Sequence, residues 1–330
     1  VKILTVGDPH VTVTGLENCG RLLNFIYKVA EHNKVDLIEF TGDLLHSHAL
    51  VRQEVLEFWR AKLTHLSKLN IPIIIIAGNH DFCGDKSHEG DFSAISDLKH
   101  IENIIVVNKR LLFYSPVGPI GYRAYTSNHE LLVQDAIELH KEGANRILTH
   151  QTFTGAQYDN GFYAKDAIDP ELLPQKHVIS GHIHTTSQIG KCFYVGSPKA
   201  DTMADANQEK GVWLFEYDGD SQTKQFISTE GVVDTYKKFT VNEGEDLPEF
   251  NPLHRNYIEL VGSNSWITSF KKKLKNINNL QIKASPTDTR ISAQTVKITG
   301  IADYLSTCFK PIDGISLSDI ETFLGELNAK

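Results

Sequence analysis

The stretch Ile71–Ala77 reads Ile-Pro-Ile-Ile-Ile-Ile-Ala, without alternation, and is closed at once by Gly78-Asn79-His80-Asp81. A strand with no polar face is buried on both sides, so the sheet that holds it must be covered twice. Strand-like runs recur along the first two-thirds of the chain. Lys2–Val6, Val35–Phe40, Pro72–Ala77, Ile104–Val107, Pro119–Tyr125, Arg146–Thr149, His177–Ser180, Cys192–Val195 and Gly211–Tyr217 read as strands. Glu17–His32, Val51–Leu69, Phe92–Lys99 and His129–Lys141 read as helices between them. The pattern predicts an α/β layered domain with enough strands for two packed sheets.

A chain of 330 residues exceeds what one core usually holds, which predicts a large domain plus a smaller appendage. The residues 242–248 are acidic, turn-forming and poor in apolar groups, and read as a linker. Beyond them, short strands around Tyr257–Val261 and Gln281–Ala284 flank a basic helix near Trp266–Asn276. Two helical stripes close the sequence: Ile301, Tyr304, Leu305 and Phe309, then Leu317, Ile320, Leu324 and Leu327. The expected division is 1–233, 234–299 and 300–330.

Composition narrows the class. Hydrophobic content of 41% and charged content of 22% exclude a disordered or fibrous chain. The longest apolar run is too short to span a bilayer, and the first residues show no secretory leader. Cys19, Cys83, Cys192 and Cys308 lie far apart without CxxC pairing, which suits a reducing cytoplasm. The net charge of −8 excludes a generic basic nucleic-acid coat but not an enzyme that works on nucleic acid through cations. Residues 234–330 hold 12 basic and 12 acidic groups, so the whole deficit lies in the first part. Fifteen histidines against one methionine point to metal chemistry there.

Five strands end in a metal-ligating residue type. They run into Asp8-Pro9-His10, Gly42-Asp43, Gly78-Asn79-His80-Asp81, His150, and Gly181-His182-Ile183-His184. Ligands in open α/β sheets bind at the carboxyl ends of strands, so all five ends can converge. Extended geometry would point both side chains of Asp8-x-His10, and both of His182-x-His184, the same way. Carboxylate, imidazole and amide without thiolate suit Mn²⁺, Fe²⁺, Zn²⁺ or Mg²⁺. Seven such ligands are too many for one open site and about right for two metals sharing a carboxylate.

In order and spacing these motifs resemble the calcineurin-like metallophosphoesterase superfamily. Gly42-Asp43-Leu44-Leu45-His46 and Tyr194-Val195-Gly196-Ser197-Pro198 resemble, more narrowly, the nuclease subunit of the SbcCD-type DNA repair exonuclease, in the compact form found in tailed phages. The resemblance covers residues 1–217 closely and is architectural beyond. It implies a four-layer α-β-β-α sandwich with a smaller α+β domain and a C-terminal helix-loop-helix. It implies a DNA exonuclease/endonuclease that hydrolyses phosphodiesters with two divalent ions, Mn²⁺ foremost, in repair, recombination or replication.

Residue by residue, the resemblance implies that Asp8, His10 and His184 bind one metal, Asn79, His150 and His182 the other, and that Asp43 bridges. His80 would face the scissile phosphate and act on the leaving oxygen, and His46 would help place the DNA end. Asp81 would orient a histidine from behind. The partners implied are double-stranded DNA ends, single strands, an SbcC-like coiled-coil ATPase docked on 300–330, and a second copy meeting through Val51–Leu69 and Phe92–Lys99. The domain 234–299 would recognise DNA, and no membrane is involved.

Other features carry two readings. Tyr158, Phe162 and Tyr163, on a loop after His150, would stack on an unpaired base or pack the loop down. Lys271, Lys272, Lys273 and Lys275 would touch phosphates or form a solvated helix face. His48 and His88 would make extra polar contacts near the site or, the favoured reading, be solvated loop histidines. The terminal stripes would dock the ATPase or pack on the small domain. The competing enzymatic reading is a small-molecule phosphodiesterase or phosphomonoesterase with the same metals; the non-enzymatic one is a scaffold, which the full ligand set disfavours.

Overall fold

The computed structural model describes residues 1–287 apart from 49, 83–91, 117, 159–160, 219–220, 251–253, 276 and 278. The chain first lays down β1 (Lys2–Val6), β2 (Leu37–Phe40), β3 (Ile73–Ile76) and β4 (Ile104–Val107), all parallel neighbours. It then builds a second sheet from β5 (Arg110–Ser115), β6 (Gly118–Arg123), β7 (Arg146–His150), β8 (His177–Gly181), β9 (Ser187–Ile189) and β10 (Cys192–Tyr194), ordered β5-β6-β7-β8-β10-β9. Finally β11 (Gly211–Asp218) and β12 (Ser221–Ser228) return to the first sheet, which reads β12-β11-β1-β2-β3-β4.

Side-chain alternation sorts the core into layers. Ile3, Leu37, Ile74 and Ile76 face Ile120, Leu148 and Ile179 between the sheets. Leu4, Val6, Ile38 and Ile75 face the other way, against α1 (Leu16–Asn33) and α2 (Gln53–Leu66). On the far side α3 (His129–Lys141) covers the second sheet with Leu132, Ala136 and Leu139. The four-layer α-β-β-α order is therefore present. Capping fits local chemistry: α1 stops where Lys34 turns left-handed, and Asn128 caps α3 by accepting from Leu131 N at 3.0 Å.

Phe92–Lys99 is not a helix; the structure has a 3-10 turn over Ser96–His100. Ser96 Oγ accepts from Ser93 N at 2.7 Å and from Asn108 Nδ2 at 2.9 Å, so side-chain bonds fix the turn in place of a helical ladder. The residues 242–248 are not a linker between units. They begin the connection from β13 (Thr235–Asn242) to β14 (His254–Gly262), two parallel neighbours in one three-stranded sheet completed by β15 (Leu280–Pro286). Parallel neighbours need such a crossover. Helix α4 (Asn264–Leu274) makes the next one and packs Ile267, Phe270 and Leu274 on the sheet. This small sheet meets the larger body where Arg21 pairs with Asp234 at 2.5 Å. The terminal stripes in 300–330 and His88 lie outside the described residues, as do Cys83 and Cys308. Cys19 and Cys192 are buried free thiols.

A polar cluster crosses the inter-sheet core. Glu39 of β2, fully buried, accepts two bonds from Arg146 of β7, at 2.7 and 2.5 Å, with Tyr122 and Thr5 as further donors. Arg146 also lies 6.0 Å from the Phe215 ring and 5.7 Å from that of Tyr217. Removing one partner strands a buried charge, which costs about 3–5 kcal/mol. Glu39→Leu or Arg146→Leu alone should lower unfolding stability by that amount in urea titrations. The double substitution should recover a good part of the loss; additive losses would show that the two charges are not coupled.

Candidate metal centre

The five strand ends come from both sheets. Asp8, Asp43 and Asn79 follow β1, β2 and β3 of the first, while His150 ends β7 and His182 follows β8 of the second. Three of these groups occupy left-handed backbone: His10 at φ 41°, Asp43 at 49° and His182 at 79°. Non-glycine residues adopt it at a cost of roughly 1–3 kcal/mol, and such strain gathers at functional sites. Glycine is required alongside. A Cβ on Gly78 would lie 2.1 Å from Asp43 Oδ1, and Gly42, at φ 110°, would meet His150 Nδ1 at 2.7 Å.

The side chains form two groups, with the Asp43 carboxylate in one and 3.5 Å from His10 of the other. Asp8, His10 and His184 converge, with the Nε2 atoms of the two histidines 3.0 Å apart. Asp43, His150 and His182 converge on the other side. There Asn79 Oδ1 lies 3.0 Å from His150 Nε2 and 2.8 Å from His182 Nδ1. Asp43 Oδ1 accepts from His80 N at 2.8 Å, which leaves Oδ2 facing His150 Nε2 at 3.2 Å, His10 Nε2 at 3.5 Å and His80 Nε2 at 4.0 Å. His10, Asp43 and His80 make a third, overlapping group. His182 and His184 thus point to different groups. The parallel orientation expected from extended geometry fails because His182 sits in a left-handed turn, not a strand.

Imidazole nitrogens facing each other at hydrogen-bond distance, ringed by carboxylate and amide oxygens, fit divalent cations well. Backbone contacts preset the rings. His150 Nδ1 donates to Thr41 O at 2.7 Å, and His80 Nδ1 to His46 O at 2.6 Å, so the Nε2 of each is the end turned toward Asp43. Asp8 is held by Thr41 Oγ1 at 2.8 Å and His182 N at 2.6 Å. Among the protein's own charges, burial pushes Asp8 up to about 6. Burial also opposes charge on Asp43, but His150 and its neighbours outweigh it and hold that carboxyl well down. Burial disfavours a charged His150; the carboxylates of Asp43 and Asp8 overcome it and push the ring up to about 9.

The remaining residues divide. The Asp81 carboxylate is spent on backbone and not on a histidine. It accepts from Leu44 N, Leu45 N and Gly78 N at 3.3, 3.1 and 2.9 Å, tying the Asp43 loop to the Asn79 loop. Three backbone donors take three of its roughly four lone-pair sites, so the expected role behind a histidine gives way to one behind the backbone. His48 is exposed, yet it is no merely solvated histidine: its ring stacks 3.7 Å from that of His80, and Nδ1 meets Asn79 O at 3.1 Å. His46 is exposed, its ring 6.2 Å from that of His80. Lys271, Lys272, Lys273 and Lys275 stand exposed at the end of α4, and no described contact joins them to the centre. Tyr158 and Phe162 lie exposed on the loop after His150.

Sequence reading missed Lys210, a buried lysine preceding β11. Its ammonium donates to His184 O at 2.9 Å, Ser197 Oγ at 2.9 Å and Asp205 Oδ1 at 2.7 Å. All three donors are satisfied, and the His184 backbone is fixed from behind. The only sequence signal was the segment Tyr194–Pro198, which supplies Ser197. Lys210→Met should weaken divalent-cation binding about 10- to 100-fold, as loss of an outer support does. Calorimetric titration of the folded variant checks this; undiminished affinity would reduce Lys210 to a core contact.

The high proton affinity of His150 sets a pH dependence. Below about 9 that ring carries a proton in the metal-free protein, and a cation must displace it. Affinity should therefore rise with pH and level off above about 9, with proton release visible in buffers of different ionisation enthalpy. Flat affinity between neutral pH and that limit would count against it.

Residues 1–186 match the family model for calcineurin-like phosphoesterases. The chain is 23% identical over 352 residues to exonuclease subunit 1 of Enterobacteria phage T4, covering 99% of this chain and 98% of that protein. It is 25% identical over 232 residues to the DNA double-strand break repair protein Mre11 of Methanopyrus kandleri, covering 59% of this chain and 48% of that protein. It is 23% identical over 263 residues to a subunit of the nuclease SbcCD of Staphylococcus saprophyticus, covering 69% of this chain and 68% of that protein. With its two-sheet sandwich and strand-end donors, the chain belongs to the calcineurin-like phosphoesterases and is a metal-dependent phosphoesterase.

Proposed function

We propose that this chain is a DNA nuclease subunit that hydrolyses phosphodiester bonds in repair, recombination or replication, beside a coiled-coil ATPase. The observation that carries the reading is Asp43 Oδ2, one carboxylate oxygen faced by imidazoles of two ligand groups. Alignment over nearly the full length of a protein named as an exonuclease subunit supports the choice of DNA over a small diester. The two strand-end groups are read as two cation sites: Asp8, His10 and His184; Asn79, His150 and His182; with Asp43 common to both. Manganese is the ion we favour on the resemblance to the SbcCD-type nucleases; imidazole mixed with oxygen donors suits Fe²⁺, Zn²⁺ and Mg²⁺ as well. Bound cations would lower the pKa of water and offset charge on the phosphate.

The protein's own groups do the rest. His80 is the partly open imidazole, with a side-chain exposure of 24%. Its Nδ1–H is committed to the His46 carbonyl, so Nε2 can donate to a leaving oxygen only when the ring is protonated. His48 lies against that ring, centroids 3.7 Å apart and planes at 31°, and His46, nearby, is read as placing the DNA end. Residues 1–233 form the nuclease unit, 234–299 a DNA-recognition unit and 300–330 the ATPase dock. A second copy meets this one through the region of α2. Among the described residues no helix is long and apolar enough to cross a membrane, and a cytoplasmic site of action fits this reading.

The test is Mn²⁺ with end-labelled duplex and single-stranded DNA, beside bis-p-nitrophenyl phosphate. DNA degradation is expected; turnover of the small diester alone would favour the small-molecule reading. Asp43→Asn should bring both activities to background and reduce metal content. His80→Gln should keep both metals by elemental analysis and lower kcat about 100-fold or more. Metal loss from His80→Gln would make that residue a ligand and reverse the assignment.

A further inference from the structure

The wall of the metal centre continues into a groove of about 610 Å³ that the roles above leave unused. Tyr125 is the shared wall: its ring stacks on that of His182, centroids 6.0 Å apart and planes at 25°, and it also lines the groove. Gln151, directly after His150, lines it too. That side chain is 3% exposed, and its Nε2 has no hydrogen-bond partner. A buried amide donor left unpaired costs about 1–3 kcal/mol, so a group that accepts from it is the natural occupant of this wall. The groove is also lined by Phe162, 73% exposed, Tyr163, 59% exposed, Tyr158 and the exposed Lys165. The loop that carries these rings is pinned by Gly155 N to Ala164 O, Ala164 N to Ala156 O, and Tyr158 N to Phe162 O, at 2.8, 2.8 and 2.9 Å.

Exposed aromatic side chains, a buried amide donor and an exposed ammonium match one kind of group: a flat heterocycle with carbonyl acceptors, joined to a phosphate. The phosphate end is set by the neighbouring metal centre, one ring away. We infer that this groove takes an unpaired nucleobase next to the phosphate held at the metal centre. A paired base has both faces stacked and its acceptors engaged, and must be pulled out before it can enter. The inference rests on the nuclease reading and adds the part of the substrate that is recognised beside the phosphate.

The test compares equilibrium binding of a fluorescein-labelled oligothymidylate with an abasic oligomer of equal length, with Ca²⁺ in place of Mn²⁺ to suppress turnover. Base–aromatic stacking contributes about 1–3 kcal/mol per base, so the wild-type chain should prefer the base-bearing oligomer by about fivefold or more. Phe162→Ala with Tyr163→Ala should cut that preference to about twofold or less. Both side chains are exposed, so the core is untouched by their loss. Equal affinity for the two oligomers in the wild type, or a preference that survives the double substitution, overturns the groove. A wild type that cleaves DNA yet ignores its bases loses this inference alone; one that cleaves no DNA at all takes the nuclease reading with it.

Discussion

The metal centre is split between two sheets, and a buried ion pair keeps those sheets in register. Glu39 stands four residues before Asp43 on one strand, and Arg146 four before His150 on the other. The pair therefore clamps the same two strands whose ends meet at the Asp43–His150 contact of 3.2 Å. A buried ion pair adds little net stability over a well-packed apolar substitute, because desolvation takes back most of the Coulomb gain. Two smooth apolar faces, however, can slide over each other at small cost, while a bidentate carboxylate–guanidinium pair admits one alignment. Register, more than stability, is what the clamp contributes.

That register lets the fold hold groups that repel one another. Asp8 and Asp81 are both pushed upward, to about 6 and about 7, first by burial and in part by the charge of Asp43. His10, Asp43 and His182 stand in left-handed backbone at the same spot. Each of these is unfavourable taken singly. They persist because surrounding contacts over-determine them: Trp59 Nε1 donates to Leu44 O at 3.2 Å, Asp81 binds two loops, and Lys210 braces His184. The packed strands and helices stabilise what the site alone would relax.

How much of this could be read from the sequence follows the range of each interaction. Strand ends such as Ile76-Ala77-Gly78-Asn79 declare themselves locally, through a β-branched run stopped by glycine, so the donor set was legible. Edge strands were not. Ser221–Ser228 reads Ser-Gln-Thr-Lys-Gln-Phe-Ile-Ser, too polar to signal a strand, and forms because β11 offers it a free edge. Glu39 is the one charged residue of β2, and nothing local announces its partner 107 residues away. Lys210 and Asp81 were illegible in role for the same reason: their partners are backbone atoms of distant turns.

A chain of net −8, with the deficit confined to residues 1–233, has no long-range attraction for a polyanion to offer. On the nuclease reading, attraction must be local. Two divalent cations would bring four positive charges to the point where Asp8 and Asp43 sit, about half the formal deficit and all of it where the phosphate lies. Away from that point the body repels DNA, so binding has to draw on contacts that need no net charge, such as the stacking faces of Tyr163 and Phe162. The net-neutral segment with its lysines at 271–273 and 275, and any partner that supplies basic surface, would then do what the acidic body does not: hold the length of the duplex while the centre reads its end.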